Sequence, residues 1–154
     1  MHLYLVQHAE ALTEEEDTSR SLSEKGIGNI KRVAAFVAGS NIRVEKICHS
    51  GKMRALQTAQ VLAEHLKFGK NLTYTDGLSP LDDPRIWLDR LSRMNEDILL
   101  AGHLPHSGRL ASLLLCGDGE KNIIDFKMGG VVCLKRSEDG KWAVDWMITP
   151  EMFK

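Results

Sequence analysis

The chain has 154 residues, enough for one compact domain, taken as residues 1–154, that buries a real core without disulfide staples. Its apolar and charged fractions, 43% and 27%, are those of an ordinary soluble globular protein. A formal net charge of -1 offers neither a basic surface for nucleic acid nor a polybasic patch for a membrane.

No apolar run reaches the length of a transmembrane helix, and the N-terminus lacks the charged and apolar regions of a secretory leader. Cys48, Cys116 and Cys133 are odd in number and widely spaced. They read as small buried residues of a protein in a reducing cytoplasm.

Leu3 to Gln7 is an apolar run that reads as the first strand and ends abruptly in His8. A polar loop follows, with the acidic run Glu14-Glu15-Glu16-Asp17 as a solvated segment. Ser21-Leu22-Ser23-Glu24 has the pattern of a capping box. Behind it Ile27, Ile30, Val33, Ala34 and Val37 recur at helical spacing as far as Gly39. Val44 to Cys48 reads as a second strand, and Ser50-Gly51 opens a helix with Leu56, Ala59, Leu62, Ala63 and Leu66 on its apolar side.

Leu72 to Thr75 is a short third strand. Asp83-Pro84 starts a helix bearing Trp87, Leu91 and Met94, with Pro suited to the first helical position. Asp97 to Gly102 is a buried strand, and Pro105 begins a helix through Leu110, Ala111 and Leu114 that ends near Gly117. The tail reads as a hairpin around Asp139-Gly140, with Trp142, Val144 and Trp146 on the packed face of its last strand. Strands alternating with helices, then a closing hairpin, predict a mixed and mostly parallel sheet with helices on both faces.

In such sheets ligands gather at the carboxyl ends of the parallel strands. His8 ends the first strand, His49-Ser50 the second, and His103 the DILLAG strand, so three segments send polar groups to one edge. At the second strand end, Ser50 can cap the following helix, whose first-turn N–H groups favour an anion. Arg54 lies one turn in, with a planar, paired-donor cation suited to a phosphoryl group. Taken alone, this segment reads as a capped helix with a surface arginine. Each histidine alone reads as a satisfied structural residue; a neutral imidazole is also a nucleophile or proton acceptor at neutral pH. The histidines show no HExxH spacing and the cysteines no CxxC pair, so no metal and no cofactor is expected.

Together QHAEA, SGKMRALQTA and AGHLPHSG resemble the histidine phosphatase superfamily. That family carries Arg-His-Gly at its first strand, a Ser-Pro-x-x-Arg-Ala-x-Gln-Thr segment, and a second His. The short length and SRSLSEKG at residues 19 to 26 resemble its SixA-type phosphohistidine phosphatase branch. The resemblance implies a three-layer α/β/α sandwich of the phosphoglycerate-mutase-like kind. It also implies that His8 attacks phosphorus and becomes phosphohistidine, which water then hydrolyses. Arg54 would clamp the phosphoryl oxygens and His103 would hydrogen-bond the same group. Phosphoryl transfer needs chiefly positioning and charge stabilisation, which such cations supply.

The chain departs from the pattern at Gln7, where the family has Arg, and at Ala9, where it has Gly. The amide of Gln7 can donate a hydrogen bond to a phosphoryl oxygen but carries no charge. Arg20 is the candidate replacement cation, the alternative being a solvent-exposed arginine. Ala9 is tolerable provided that its backbone does not need a positive φ. The carboxylic proton donor of many phosphomonoesterases in this superfamily is also missing: Ser79 stands where its Glu would fall, and Leu104 follows His103. An alkoxide leaving group needs such an acid more than a phosphohistidine nitrogen does, which favours an N–P substrate. Glu10, Asp82 and Asp83 are the remaining donor candidates, and as solvated loop carboxylates all three have a simpler reading. His106, three residues after His103, reads as a surface histidine, the alternative being that it lines the pocket one turn into the helix.

The expected activity is metal-independent dephosphorylation of a phosphorylated protein, such as a phosphotransfer or phosphocarrier protein. A phosphatase of small phosphorylated molecules is the nearest alternative. A non-catalytic phosphate- or phosphoprotein-binding module, with Gln7 marking lost chemistry, is the rival of another class. The expected pocket is His8, Arg54 and His103 with Gln7, bordered by Arg20 and Ser50.

Overall fold

The computed structural model describes residues 1–153. Its elements in chain order are β1 (His2–Gln7), α1 (Glu24–Gly39), β2 (Lys46–His49), α2 (Met53–His65), β3 (Thr73–Tyr74), α3 (Arg85–Ser92), β4 (Ile98–Gly102), α4 (His106–Cys116), β5 (Val131–Arg136) and β6 (Trp142–Ile148). A short 3-10 turn, Pro150–Phe153, follows. They build one six-stranded sheet in the order β3-β2-β4-β1-β5-β6. β3, β2, β4 and β1 run parallel, while β5 pairs antiparallel with both β1 and β6. This is the mixed, mostly parallel sheet with a terminal hairpin that the alternation predicts.

The alternation of side chains along a strand sorts the core into two layers. Tyr4, Val6, Ile47, Leu99 and Ala101 face α1 and α2, meeting Ile30, Val33, Ala34, Val37, Ala59 and Leu62. Leu3, Leu5, Cys48, Ile98 and Leu100 face α3 and α4, meeting Trp87, Leu91, Leu110 and Ala111. β1 and β4, covered on both faces, are therefore almost continuously apolar.

Local details differ from the sequence reading at several points, among them the start of α2, whose N-cap is Lys52 rather than Ser50 and carries no side-chain cap bond. The α1 cap is Ser23, whose hydroxyl accepts from the Gly26 N–H, while the Ser21 hydroxyl donates to Asp17. Gly at the third helical position leaves no Glu or Gln to complete a capping box from Ser23. That glycine is required: a Cβ at residue 26 would lie 2.1 Å from the Glu10 carbonyl oxygen. Trp142, Val144 and Trp146 do not share a face. The register runs Cys133 with Trp146 and then Leu134 with Val144, so Asp145 is an extra residue in β6 and the alternation inverts there. Trp146 packs on the Tyr4 side, Trp142 on the opposite layer, and Val144 is 47% exposed. Cys48 and Cys133 are buried as expected, but Cys116, at the last position of α4, is exposed. Finally His106 is 1% exposed and lies inside the protein.

Candidate active site at the carboxyl edge of the sheet

β1, β2 and β4 end side by side, and the residues that follow them make the site. The His8 N–H donates to the Gly102 carbonyl at the end of β4, 3.0 Å. The Gly129 N–H donates to the carbonyls of both Gln7 and His8. Ala9 is fully buried, without a positive φ, and its N–H donates to the Thr58 hydroxyl at 3.0 Å. Thr58 in turn donates to the Arg54 carbonyl, 2.7 Å. One buried hydroxyl therefore ties the turn after His8 to the first turn of α2. Thr58 and its neighbour Gln57, whose side-chain oxygen receives the Leu22 N–H, were visible only as the Gln-Thr of the motif.

His8 Nδ1 lies 2.7 Å from the Ala9 carbonyl oxygen. A carbonyl only accepts, so Nδ1 carries the proton and Nε2 keeps a free lone pair. Burial lowers the pKa of His8, opposed by the Ala9 bond and assisted by the charges of Arg54 and Arg20. The ring is thus held neutral with its remote nitrogen free, the state a nucleophile requires.

The His103 ring lies 5.1 Å from that of His8, centroid to centroid. Burial, together with the charges of His8 and Arg54, drives the pKa of His103 down to about 3. Its Nε2 lies 2.6 Å from the Ser50 hydroxyl. Ser50 is held by a turn whose next residue, Gly51, has φ +86 with the Tyr74 ring against its α-carbon. A side chain there would strike that ring, and the Pro of the family motif could not adopt this φ.

Arg54 enters from α2. Burial, then the charge of Arg20, lowers its pKa, and Glu14 opposes this. Arg20 is half-buried, at φ +50, with its Nε donating to the Leu12 carbonyl at 3.1 Å. Its backbone is fixed by Asp17, which receives the N–H groups of Ser19 and Ser21 on its carboxylate and that of Arg20 on its carbonyl. Arg20 is therefore not the solvent-exposed arginine of the alternative reading. Two guanidinium groups act on the same imidazole, and their mutual repulsion favours an anion between them.

Among the described residues, five buried side-chain polar atoms lack a partner; Gln7 Oε1, Arg54 Nε, His103 Nδ1 and His106 Nε2 are four of them. Buried polar groups are costly when unpaired, so their concentration at one strand edge marks a place where a polar ligand completes the bonding. His106 sits one turn beyond His103 in α4, and Asp82 and Asp83 act on its charge. Its sequence context, a polar residue in a loop-to-helix junction, gave no sign of burial.

The three donor candidates are engaged elsewhere. Glu10 accepts from the Ser23 hydroxyl and pairs with Lys25. Asp82 accepts from the Ser79 N–H, and Asp83 is paired with Arg85. No three His, Cys, Asp or Glu side chains are grouped to hold a metal ion among the described residues. Nor is any described helix long and apolar enough to cross a membrane.

Residues 3–82 match the family model of the histidine phosphatase superfamily, branch 1. The phosphohistidine phosphatase SixA of Escherichia coli (strain K12) is 22% identical across 97% of this chain and 94% of its own length. An uncharacterised protein of Picosynechococcus sp. is 30% identical across 88% of this chain and 85% of its own. Among solved structures, the protein histidine phosphatase SixA complexed with tungstate superposes with a TM-score of 0.87 at 23% identity, covering all of both chains. The sandwich expected from the motifs is therefore the observed fold.

Proposed function

The chain belongs to the histidine phosphatase superfamily, and from that premise we propose that it is a metal-independent phosphohistidine phosphatase acting on a phosphorylated protein. The observation that carries the reading is the pinned tautomer of His8: Nδ1–H is fixed by the Ala9 carbonyl, and Nε2 is free beside Arg54 and His103. In the first step Nε2 attacks phosphorus in line and the leaving nitrogen or oxygen departs with the bonding pair. Arg54 and the N–H of His103 stabilise the equatorial oxygens. In the second step water attacks phosphorus in line; a P–O bond forms, the P–Nε2 bond breaks with its electron pair returning to Nε2, and phosphate leaves with the protons of the water.

Arg20 supplies the charge that Gln7 does not. Its guanidinium acts on the charge of both His8 and Arg54, and Gln7 contributes a neutral amide. The leaving group is better read as nitrogen than as alkoxide, since Glu10, Asp82 and Asp83 are each committed to other partners. A phosphorylated phosphotransfer or phosphocarrier protein is the substrate class this favours. The E. coli relative, itself named a phosphohistidine phosphatase, supports the same choice. The work is expected in the cytoplasm.

The test is phosphate release from a phosphohistidine-bearing protein in the presence of a chelator, wild type beside His8→Ala. Release by wild type alone is the expected result. Release from an alkyl phosphate but not from phosphohistidine would make the chain a small-molecule phosphatase. Release from neither, with phosphate still bound, would make it a binding module.

A further inference from the structure

We propose that Ser50 is a positioning residue that fixes His103 in the tautomer carrying its proton on Nδ1, so that a neutral imidazole presents an N–H to the phosphoryl group. The inference rests on the phosphatase reading for its purpose, but not for its geometry.

The geometry is a matter of counting donors. The Ser50 hydroxyl and His103 Nε2 are 2.6 Å apart, and both residues are more than nine-tenths buried. The Ser50 oxygen also receives the Lys52 N–H, at 3.3 Å. Among the described residues the Ser50 hydroxyl has no other acceptor, so its proton goes to Nε2, which must then be unprotonated. The remaining ring proton sits on Nδ1, the atom left buried without a protein partner.

The other tautomer fares worse on every count. With the proton on Nε2, the Ser50 O–H has no acceptor and Nδ1 is a buried lone pair with no donor. That lone pair would also repel an anionic oxygen arriving beside His8. The proton on Nδ1 leaves one unpaired group, a donor, and a phosphoryl oxygen is the acceptor it lacks. With its pKa near 3, His103 is neutral at neutral pH, so the choice of tautomer decides what the ring offers. His8 is fixed in the same sense by a carbonyl and His103 by a hydroxyl: both rings carry the proton on Nδ1. One then exposes a lone pair for attack, the other an N–H for stabilisation.

The direct measurement is ¹⁵N NMR of the histidine rings of the full chain near neutral pH, with the His103 signals identified by their loss in His103→Asn. Wild type should show a protonated Nδ1 and an unprotonated Nε2 at His103, and Ser50→Ala should lose that pattern. Against a phosphohistidine-bearing protein, Ser50→Ala should lower kcat about ten- to a hundredfold with KM within twofold, the scale seen when an orienting partner behind a functional histidine is removed. Ser50→Thr, which keeps the hydroxyl, should retain both the NMR pattern and kcat. A second pair covers the case in which Ser50→Ala fails to fold. The Asn amide nitrogen stands near Nδ1 and the Gln nitrogen near Nε2, so His103→Asn should keep more activity than His103→Gln.

A wild-type His103 protonated on Nε2 overturns the proposal. So does a Ser50→Ala protein with unchanged tautomer and kcat, or His103→Gln outperforming His103→Asn. A wild type that shows the Nδ1–H pattern but no turnover overturns the phosphatase reading and leaves the tautomer assignment supported.

Discussion

The two ends of the parallel strands make a useful pair. At the amino ends lies a groove of about 830 Å³, lined by Met1, Leu88, Asn95, Arg136 and Trp142 among others. At the carboxyl ends lies the histidine cluster. In the groove the arginines are paired: Arg136 donates to the carbonyls of Leu91 and Met94 and to Asn95, and lies over the Trp142 ring. Arg85 is held by Asp83. At the carboxyl edge the reverse holds, with four buried polar atoms unpaired and two guanidinium groups acting on one imidazole. Volume therefore points to the wrong end of this sheet. The polar groups left unpaired, at a cost to the fold, point to the working one.

Substitutions at the two ends should separate function from stability. The largest effect belongs to His8→Ala, which removes the proposed attacking atom and should lower turnover by a thousandfold or more, on the order of other nucleophile deletions. Phosphate or vanadate should still bind to that variant, as checked by calorimetry. Arg54→Ala should cost about a hundred- to a thousandfold in kcat/KM and weaken inhibition by the same anions. If the anions bind Arg54→Ala undiminished, the pocket is misplaced. Arg20→Ala should cost about tenfold or more in kcat/KM, and Gln7→Arg should restore most of it in the double variant. An Arg20→Ala loss that Gln7→Arg cannot offset would separate the two roles.

Acid should weaken the carboxyl edge first. Burial lowers the pKa of His8, His49, His103 and His106 below the usual imidazole value. The unfolded chain then binds more protons than the folded one below about pH 6.5, so stability is full above that value and falls as pH drops through it. Thermal midpoints measured at pH 7 and pH 5 should show the drop, and His106→Leu, which removes one such group, should shrink it. The smallest effect on turnover belongs to the amino end. Arg136→Ala should cost about 1–3 kcal/mol of stability in a denaturant titration, through the carbonyls it leaves without their donors, and change kcat by less than twofold.

The elements were legible because both faces of the central strands are covered, so the apolar runs of β1 and β4 and the helical spacing of α1 and α2 are strong signals. Strand ends sufficed to bring His8, Ser50, Arg54 and His103 to one edge, since a parallel sheet leaves them nowhere else to go. What stayed hidden depends on contacts between distant segments. The bulge at Asp145 is a matter of register with β5, and a strict alternation of aromatic residues conceals it. The burial of His106 at the start of α4 is likewise a matter of tertiary packing, beside the charges of Asp82 and Asp83. The placement of Arg20 follows from the Asp17 cap, which turns a segment that reads as solvated acid into a fixed loop. Ser50 was readable as a helix cap, but its partner is a histidine 53 residues away.

On the proposed mechanism, the bond between His8 Nδ1 and the Ala9 carbonyl also determines which isomer of the phosphoenzyme forms. With Nδ1 occupied by the backbone, any phosphoryl group on His8 is carried on Nε2, the nitrogen remote from the main chain. The enzyme-bound species is then the tele isomer, and the pros isomer is closed off by a single peptide carbonyl. A positional label is thereby written into the intermediate, and it persists through denaturation, so trapping the phosphorylated chain in alkali and separating the two isomers reads the native hydrogen bond after the fold is gone.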